Sequence, residues 1–146
     1  MPATEIAENV TMSPDKKLFL VVEDFEDSRF MMRSLLELAG YSVVEASDGE
    51  QAVELAVQRR PALILMDLSL PKLDGLAATR QIRLDKSVGN VPIVAVSAHD
   101  SPESRSEALA AGCDEYVTKP IDFDRLDELL KRFLSTGHNS ICNLKS

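Results

Sequence analysis

From Leu18 onward the chain alternates short unbroken apolar runs with helically spaced ones, five times over. Leu18-Phe19-Leu20-Val21-Val22 has strand length and no polar face, the pattern of a strand buried on both sides. Between Ser28 and Ala39, Met31, Leu35 and Leu38 recur at helical spacing, and Gly40 stands where a helix C-terminal cap belongs. Tyr41 to Glu45 predicts a second strand, and Asp48-Gly49 opens a helix to Arg60 that Pro61 must end. Leu63 to Met66 predicts a third buried strand that runs into Asp67. After a loop with Pro71 and Gly75, Leu76, Thr79, Ile82 and Arg83 fall on neighbouring helical turns. Val91 to Val96 predicts strand four, with Pro92 at its start or on an edge. Asp100 or Ser101 caps a helix reaching Ala111, where Gly112 stops it. Tyr116-Val117 marks a short fifth strand, and Asp122 caps a last helix with Phe123, Leu126, Leu130 and Phe133 on one stripe.

Strands that alternate with helices imply an α/β fold: a doubly wound parallel sheet with helices on both faces, joined by right-handed crossovers. The predicted strand order is 2-1-3-4-5, with five flanking helices around one domain over residues 17–134. Residues 1–16 and 135–146 lack periodic apolar positions and are expected to be flexible tails.

Charge narrows the partners. With 24 acidic and 16 basic residues the net charge is -8, and the adjacent basic pairs are only Lys16-Lys17, Arg59-Arg60 and Lys131-Arg132. A direct nucleic-acid surface is therefore not expected. Cys113 and Cys142 are too few for a disulfide framework and are not spaced as a metal knuckle. No apolar run reaches the ~20 residues that span a bilayer, and the polar, acidic start is unlike a signal peptide. A cytoplasmic protein with no membrane contact is expected.

The chemistry-bearing residues fall at the carboxyl ends of the predicted strands, where doubly wound sheets bind ligands. Glu23 and Asp24 end the first, Asp67 the third and Ser97 the fourth, and Lys119 follows the fifth. Each has a plain structural alternative: a solvated acidic pair, a strand-ending acid, a turn serine, a surface lysine. Their convergence on one edge speaks against all four alternatives together. Carboxylates about 4 Å apart repel by ~4 kcal/mol per pair at an effective dielectric of about 20, so a cation is required. Hard oxygen donors with no histidine or cysteine close by in sequence suit Mg²⁺, which accepts phosphate oxygens as further ligands. A carboxylate can itself attack phosphorus, and Asp67 is the candidate nucleophile, with Lys119 and the Ser97 hydroxyl to stabilise the charge.

These residues resemble the receiver domain of two-component response regulators. Leu20-Val21-Val22-Glu23-Asp24 is similar to the family's first strand and acidic pair, and Leu65-Met66-Asp67 through Asp74-Gly75 to its phosphoacceptor strand and loop. Val94-Ala95-Val96-Ser97-Ala98 resembles the hydroxyl motif, and Tyr116-Val117-Thr118-Lys119-Pro120 the switch aromatic and lysine. Spacings of 43, 30 and 22 positions separate Asp24, Asp67, Ser97 and Lys119. The resemblance implies a flavodoxin-like fold in which Asp67 accepts phosphate from a sensor histidine kinase or histidine phosphotransfer protein. Glu23, Asp24, Asp67 and the Ser69 backbone carbonyl would hold Mg²⁺, Ser97 and Tyr116 would switch, and the Lys119–Pro120 peptide would be cis. Ser69 and His99 correspond to positions that tune hydrolysis of the acyl phosphate, although His99 by itself reads as a solvent-facing loop residue.

The resemblance further implies a phosphoacceptor rather than an ordinary enzyme, signalling through a downstream protein target, with phosphorylation-dependent homodimerisation as one mode. With 12 residues after Leu134, no attached output domain is expected. The surface of Ala98 to Arg105, Tyr116 and the last helix is the expected docking face, tested by charge reversal at Arg105 and Arg125. A receiver fold acting independently of phosphate would usually lack one of the acceptor, acid, hydroxyl or lysine positions, and here all are present. A haloacid-dehalogenase-type phosphatase needs a nucleophilic aspartate after strand one with an acid two positions on; Asp24-Phe25-Glu26 imitates this weakly, with no room for a substrate cap. Phe25-Glu26-Asp27 is no glycine-rich nucleotide loop.

Overall fold

The computed structural model describes residues 17–70, 74–99 and 101–143, with side chains as far as Leu134. Along them alternate β1 Leu18–Val22, α1 Glu26–Leu38, β2 Ser42–Ala46, α2 Gly49–Arg59, β3 Leu63–Asp67, α3 Gly75–Leu84, β4 Ile93–Ser97, α4 Pro102–Ala111, β5 Glu115–Thr118 and α5 Phe123–Asn143. The strands form one parallel sheet in the expected order, β2-β1-β3-β4-β5. Its register pairs Val22 with Ala46 and Met66, Asp67 with Val96, and Ser97 with Thr118, so the carboxyl ends of the central strands finish side by side.

Successive residues of a strand face opposite sides, and both sides are covered here. Phe19, Val21, Leu63, Leu65, Val94 and Val117 pack with α1, through Met32 and Leu36, and with α5, through Leu126, Leu129 and Leu130. Leu20, Val22, Ile64, Met66, Ile93 and Ala95 face α2, α3 and α4, which meet them largely through Ala52, Ala56, Ala78, Ile82 and Ala108. The two-sided burial explains why β1, β3 and β4 carry no polar alternation.

Local chemistry sets the element ends. Asp48 caps α2 by accepting from the Gln51 amide, and Ser101 caps α4 through the Ser104 amide, with Pro102 in the first turn. α2 stops one residue before its expected end because Arg60, which precedes Pro61, takes a left-handed conformation at φ 44°. α1 begins at Glu26, two residues earlier than expected, with Glu26 and Asp27 in the first turn where acids suit the helix dipole. β2 lies one residue later than expected, since Tyr41 stacks on Phe19 and its amide donates to Leu36 O. β4 starts at Ile93, because Pro92 has no N–H to give; its carbonyl accepts from Ile64. The last helix runs on to Asn143, beyond the domain end placed at Leu134, with no proline in that stretch to stop it. The expected tail 1–16, Pro71 and the alternative cap Asp100 lie outside the described residues.

Candidate functional site

The carboxyl edge of the sheet gathers the residues singled out from the sequence. Glu23, Asp67 and Ser97 are buried to 1%, 3% and 3% exposure, whereas Asp24 faces solvent. One carboxylate oxygen from each of Glu23, Asp24 and Asp67 lies within 4.8 Å of the others. Lys119 joins them from the far side of the chain, its Nζ donating to Glu23 Oε1 at 3.0 Å and Asp67 Oδ2 at 3.3 Å. The Lys119–Pro120 peptide is cis.

Partial burial works against the Lys119 charge, but the hydrogen bond to Glu23 and the charge of Asp67 outweigh it and hold the ammonium above its ordinary pKa. Lys119 therefore stays cationic at neutral pH. One ammonium cannot balance three carboxylates, and the remaining negative charge in a partly buried pocket is a standing demand for a cation. The donor set is oxygen only, a hard-ligand set of the kind that suits Mg²⁺.

The two Asp67 oxygens are held from different directions. Oδ1 accepts from the Ser69 amide at 3.0 Å, a local turn of the kind aspartate favours, while Oδ2 faces Lys119. Gly75 opens α3 directly against this strand end: a Cβ there would sit 2.7 Å from Leu68 Cα and overlap the Asp67 carbonyl. Asp74 caps the same helix through the Ala77 amide. The Asp74-Gly75 pair thus brings α3 to the end of β3 at Asp67 and Leu68, at a distance that no larger residue permits.

On the other flank, Ser97 Oγ accepts from the His99 amide at 3.0 Å, and Tyr116 donates its hydroxyl to the His99 carbonyl at 2.6 Å. Tyr116 is 1% exposed, with the Arg105 guanidinium 4.7 Å above its ring. The His99 side chain is exposed, as is Ser69. Sequence reasoning passed over Arg29, whose NH1 nitrogen donates to the Glu23 carbonyl at 3.0 Å. Its signal is only a basic residue five positions beyond an acidic pair, which any amphipathic helix offers.

Beside the pocket a cleft of about 400 Å³ is lined by Glu23, Met31, Lys119, Pro120, Ile121 and Phe123. Cys113 is a buried free thiol, and burial pushes its pKa up, which keeps it protonated and out of this chemistry. None of the described helices is long and apolar enough to cross a membrane.

Both the sequence and the fold match known proteins. The response regulator receiver domain model matches residues 19–131. The polar-differentiation response regulator DivK of Brucella anthropi is 35% identical over 118 residues, which cover 81% of this chain and 96% of DivK. The receiver domain of sensor histidine kinase PA1611 from Pseudomonas aeruginosa, crystallised with a magnesium ion in its active-site cleft, superposes with a TM-score of 0.78 at 37% identity, covering 82% and 98% of the two chains. A co-crystal structure of the Saccharomyces cerevisiae histidine phosphotransfer protein Ypd1 with the receiver domain of Ssk1 matches with a TM-score of 0.78 at 32% identity, covering 84% and 91%. The chain belongs to the response regulator receiver domain family, the phosphorylation-dependent switches of two-component signalling.

Proposed function

We propose that Asp67 is the phosphoacceptor of this receiver. The observation that carries this reading is the Asp67 carboxylate itself, buried, pinned by Ser69 and Lys119, and set in a cluster of three carboxylates. Either a histidine kinase or a histidine phosphotransfer protein, such as the one bound in the Ssk1 complex, is the donor class. An Asp67 oxygen forms a bond to phosphorus as the P–N bond to the donor imidazole breaks; the departing nitrogen keeps the electron pair and takes a proton. Lys119 supplies fixed positive charge beside the acceptor as charge spreads over the phosphoryl oxygens. Glu23, Asp24, Asp67 and the Ser69 carbonyl would hold Mg²⁺, which neutralises carboxylate and phosphoryl charge when bound. Ser69 and His99, both exposed, would affect access of water to the acyl phosphate.

Signalling follows from the hydrogen bonds on the β4 side. A phosphoryl oxygen gives the Ser97 hydroxyl a new acceptor, and movement of Ser97 pulls on residues 97–99, to which Tyr116 is tied through the His99 carbonyl. Tyr116 and the overlying Arg105 then alter the surface of α4, β5 and α5, a population shift between two states that phosphate contacts bias. That surface serves a downstream protein or a second copy of the chain. The apolar cleft beside Lys119 offers contact to the donor protein.

Intact mass after incubation with acetyl phosphate and Mg²⁺ tests the assignment. One hydroxylamine-labile adduct of about 80 Da is expected in the wild type and none in Asp67→Asn or without metal. An adduct that persists in Asp67→Asn places the acceptor elsewhere.

A further inference from the structure

The β1–α1 turn must leave the sheet and enter a helix within Glu23, Asp24 and Phe25 while presenting two carboxylates to the site. Its backbone is held on one side by the sheet, where the Glu23 amide donates to Ala46 O at 3.0 Å. The Glu23 side chain is fixed twice, Oε1 by Lys119 and Oε2 by the Phe25 amide at 3.1 Å. Asp24 has no such support: among the described residues its carboxylate accepts no hydrogen bond from the protein. The place from which it projects depends on the peptide unit that joins it to Glu23, and planarity couples the Asp24 Cα to the orientation of the Glu23 carbonyl.

Arg29 supplies that restraint. Its NH1 nitrogen donates to the Glu23 carbonyl at 3.0 Å, and its Nε donates to Glu45 Oε1 on β2 at 2.9 Å. Glu45 lies directly opposite Val21 in the β1–β2 register, and its second oxygen accepts from Arg33 at 2.6 Å. The guanidinium thus bridges a sheet carboxylate and the Glu23–Asp24 peptide, with its side chain only 18% exposed. The planar fork of arginine makes both bonds at once, which a lysine ammonium on a single flexible stem cannot reproduce.

We infer that Arg29 is a positioning residue of the cation site: clamped by Glu45, it orients the Glu23–Asp24 peptide so that the Asp24 carboxylate meets those of Glu23 and Asp67. The inference rests on the proposed cation and phosphoacceptor role of those three carboxylates. It makes an unusual demand, because Arg29 is itself a cation. Coulomb repulsion alone predicts that its removal tightens divalent-cation binding; a positioning role predicts that removal weakens it.

Mn²⁺ binding to the intact protein, measured from the free-ion electron paramagnetic resonance signal, reads the sign directly. Arg29→Met is expected to weaken Mn²⁺ affinity by about tenfold, the lower end of the usual loss when support of a metal ligand is removed. Arg29→Lys, which keeps the charge and serves if the methionine variant folds poorly, is expected to weaken it severalfold. Arg33→Gln removes the same charge from the same Glu45 without touching the turn, and is expected to leave binding unchanged or tighter. Unchanged or tighter binding in both Arg29 variants overturns the positioning role while leaving the phosphoacceptor reading intact. Failure of the wild type to bind Mn²⁺ overturns both.

Discussion

Two polar clusters sit at opposite ends of the same sheet and differ in how their charges are balanced. At the amino-terminal edge Arg83 donates to the carbonyls of Gly89, Val91 and Gly112 and to Asp114 Oδ2, which also accepts from the Ile93 amide. One cation meets one carboxylate and three carbonyls, and the neighbouring Gly112, at φ 117°, has no room for a Cβ because the Arg83 stem lies 2.8 Å away. At the carboxyl edge, three carboxylates meet one ammonium. The first cluster is satisfied and ties the start of β4 and β5 to α3. The second has more carboxylates than cations, so it could hold a further cation. Charge balance, more than burial or hydrogen-bond number, separates the clamp from the site.

Breaking the clamp is expected to cost the most stability. Arg83→Met leaves three carbonyls and the Asp114 carboxylate without their partner, a loss of about 3 kcal/mol in urea unfolding. Phosphorylation from acetyl phosphate should survive in the fraction that remains folded; its loss at full folding would mean that the two edges are coupled. The opposite sign is expected at the other edge. In chelator, Asp67→Asn relieves carboxylate repulsion and should stabilise the chain by about 1 kcal/mol, and Mg²⁺ should then stabilise the variant less than the wild type. Destabilisation by Asp67→Asn would show Lys119 already balancing the site.

The smallest effect is a pH dependence at Glu45, near the carboxyl end of β2. Burial raises the Glu45 pKa, but hydrogen bonds from Arg33 and Arg29 outweigh it and leave the group below its ordinary value of 4.5. A lowered folded-state pKa means stability that is present above about 4.5 and lost as pH falls through the lowered value. Glu45→Gln should therefore flatten the acid limb of the melting curve by a few tenths of a kcal/mol. Lys119 works in the other direction: its raised pKa gives stability present at neutral pH and lost only in strong alkali, so it adds no slope in acid.

Much of the fold was legible along the chain because its cues are local. β1 and β3 are unbroken apolar runs, and Asp48, Ser101, Pro61 and Gly112 mark helix ends by their own local chemistry. The boundary shifts at Tyr41, Pro92 and Arg60 accompany a ring stack, a missing amide and a left-handed residue that cannot continue the helix before proline. Only the first of these depends on a distant partner, since Phe19 is far from Tyr41 in sequence.

Candidate site residues were legible where parallel topology sends every strand's carboxyl end to one edge. Glu23, Asp24, Asp67, Ser97 and Lys119 could be gathered from their positions in the strand pattern alone, and sequence determined this much because period and strand order are properties of the chain. Only the tertiary structure decided which oxygen meets which donor. Lys119 reaches Glu23 across 96 positions and Arg29 reaches Glu45 across 16. Those pairings are set by packing, register and side-chain rotamers, for which no local pattern codes. The Arg29 restraint on the Glu23–Asp24 peptide and the Tyr116 hold on the His99 carbonyl belong to that second category. Both act on main-chain carbonyls, which every residue possesses and which sequence therefore cannot single out.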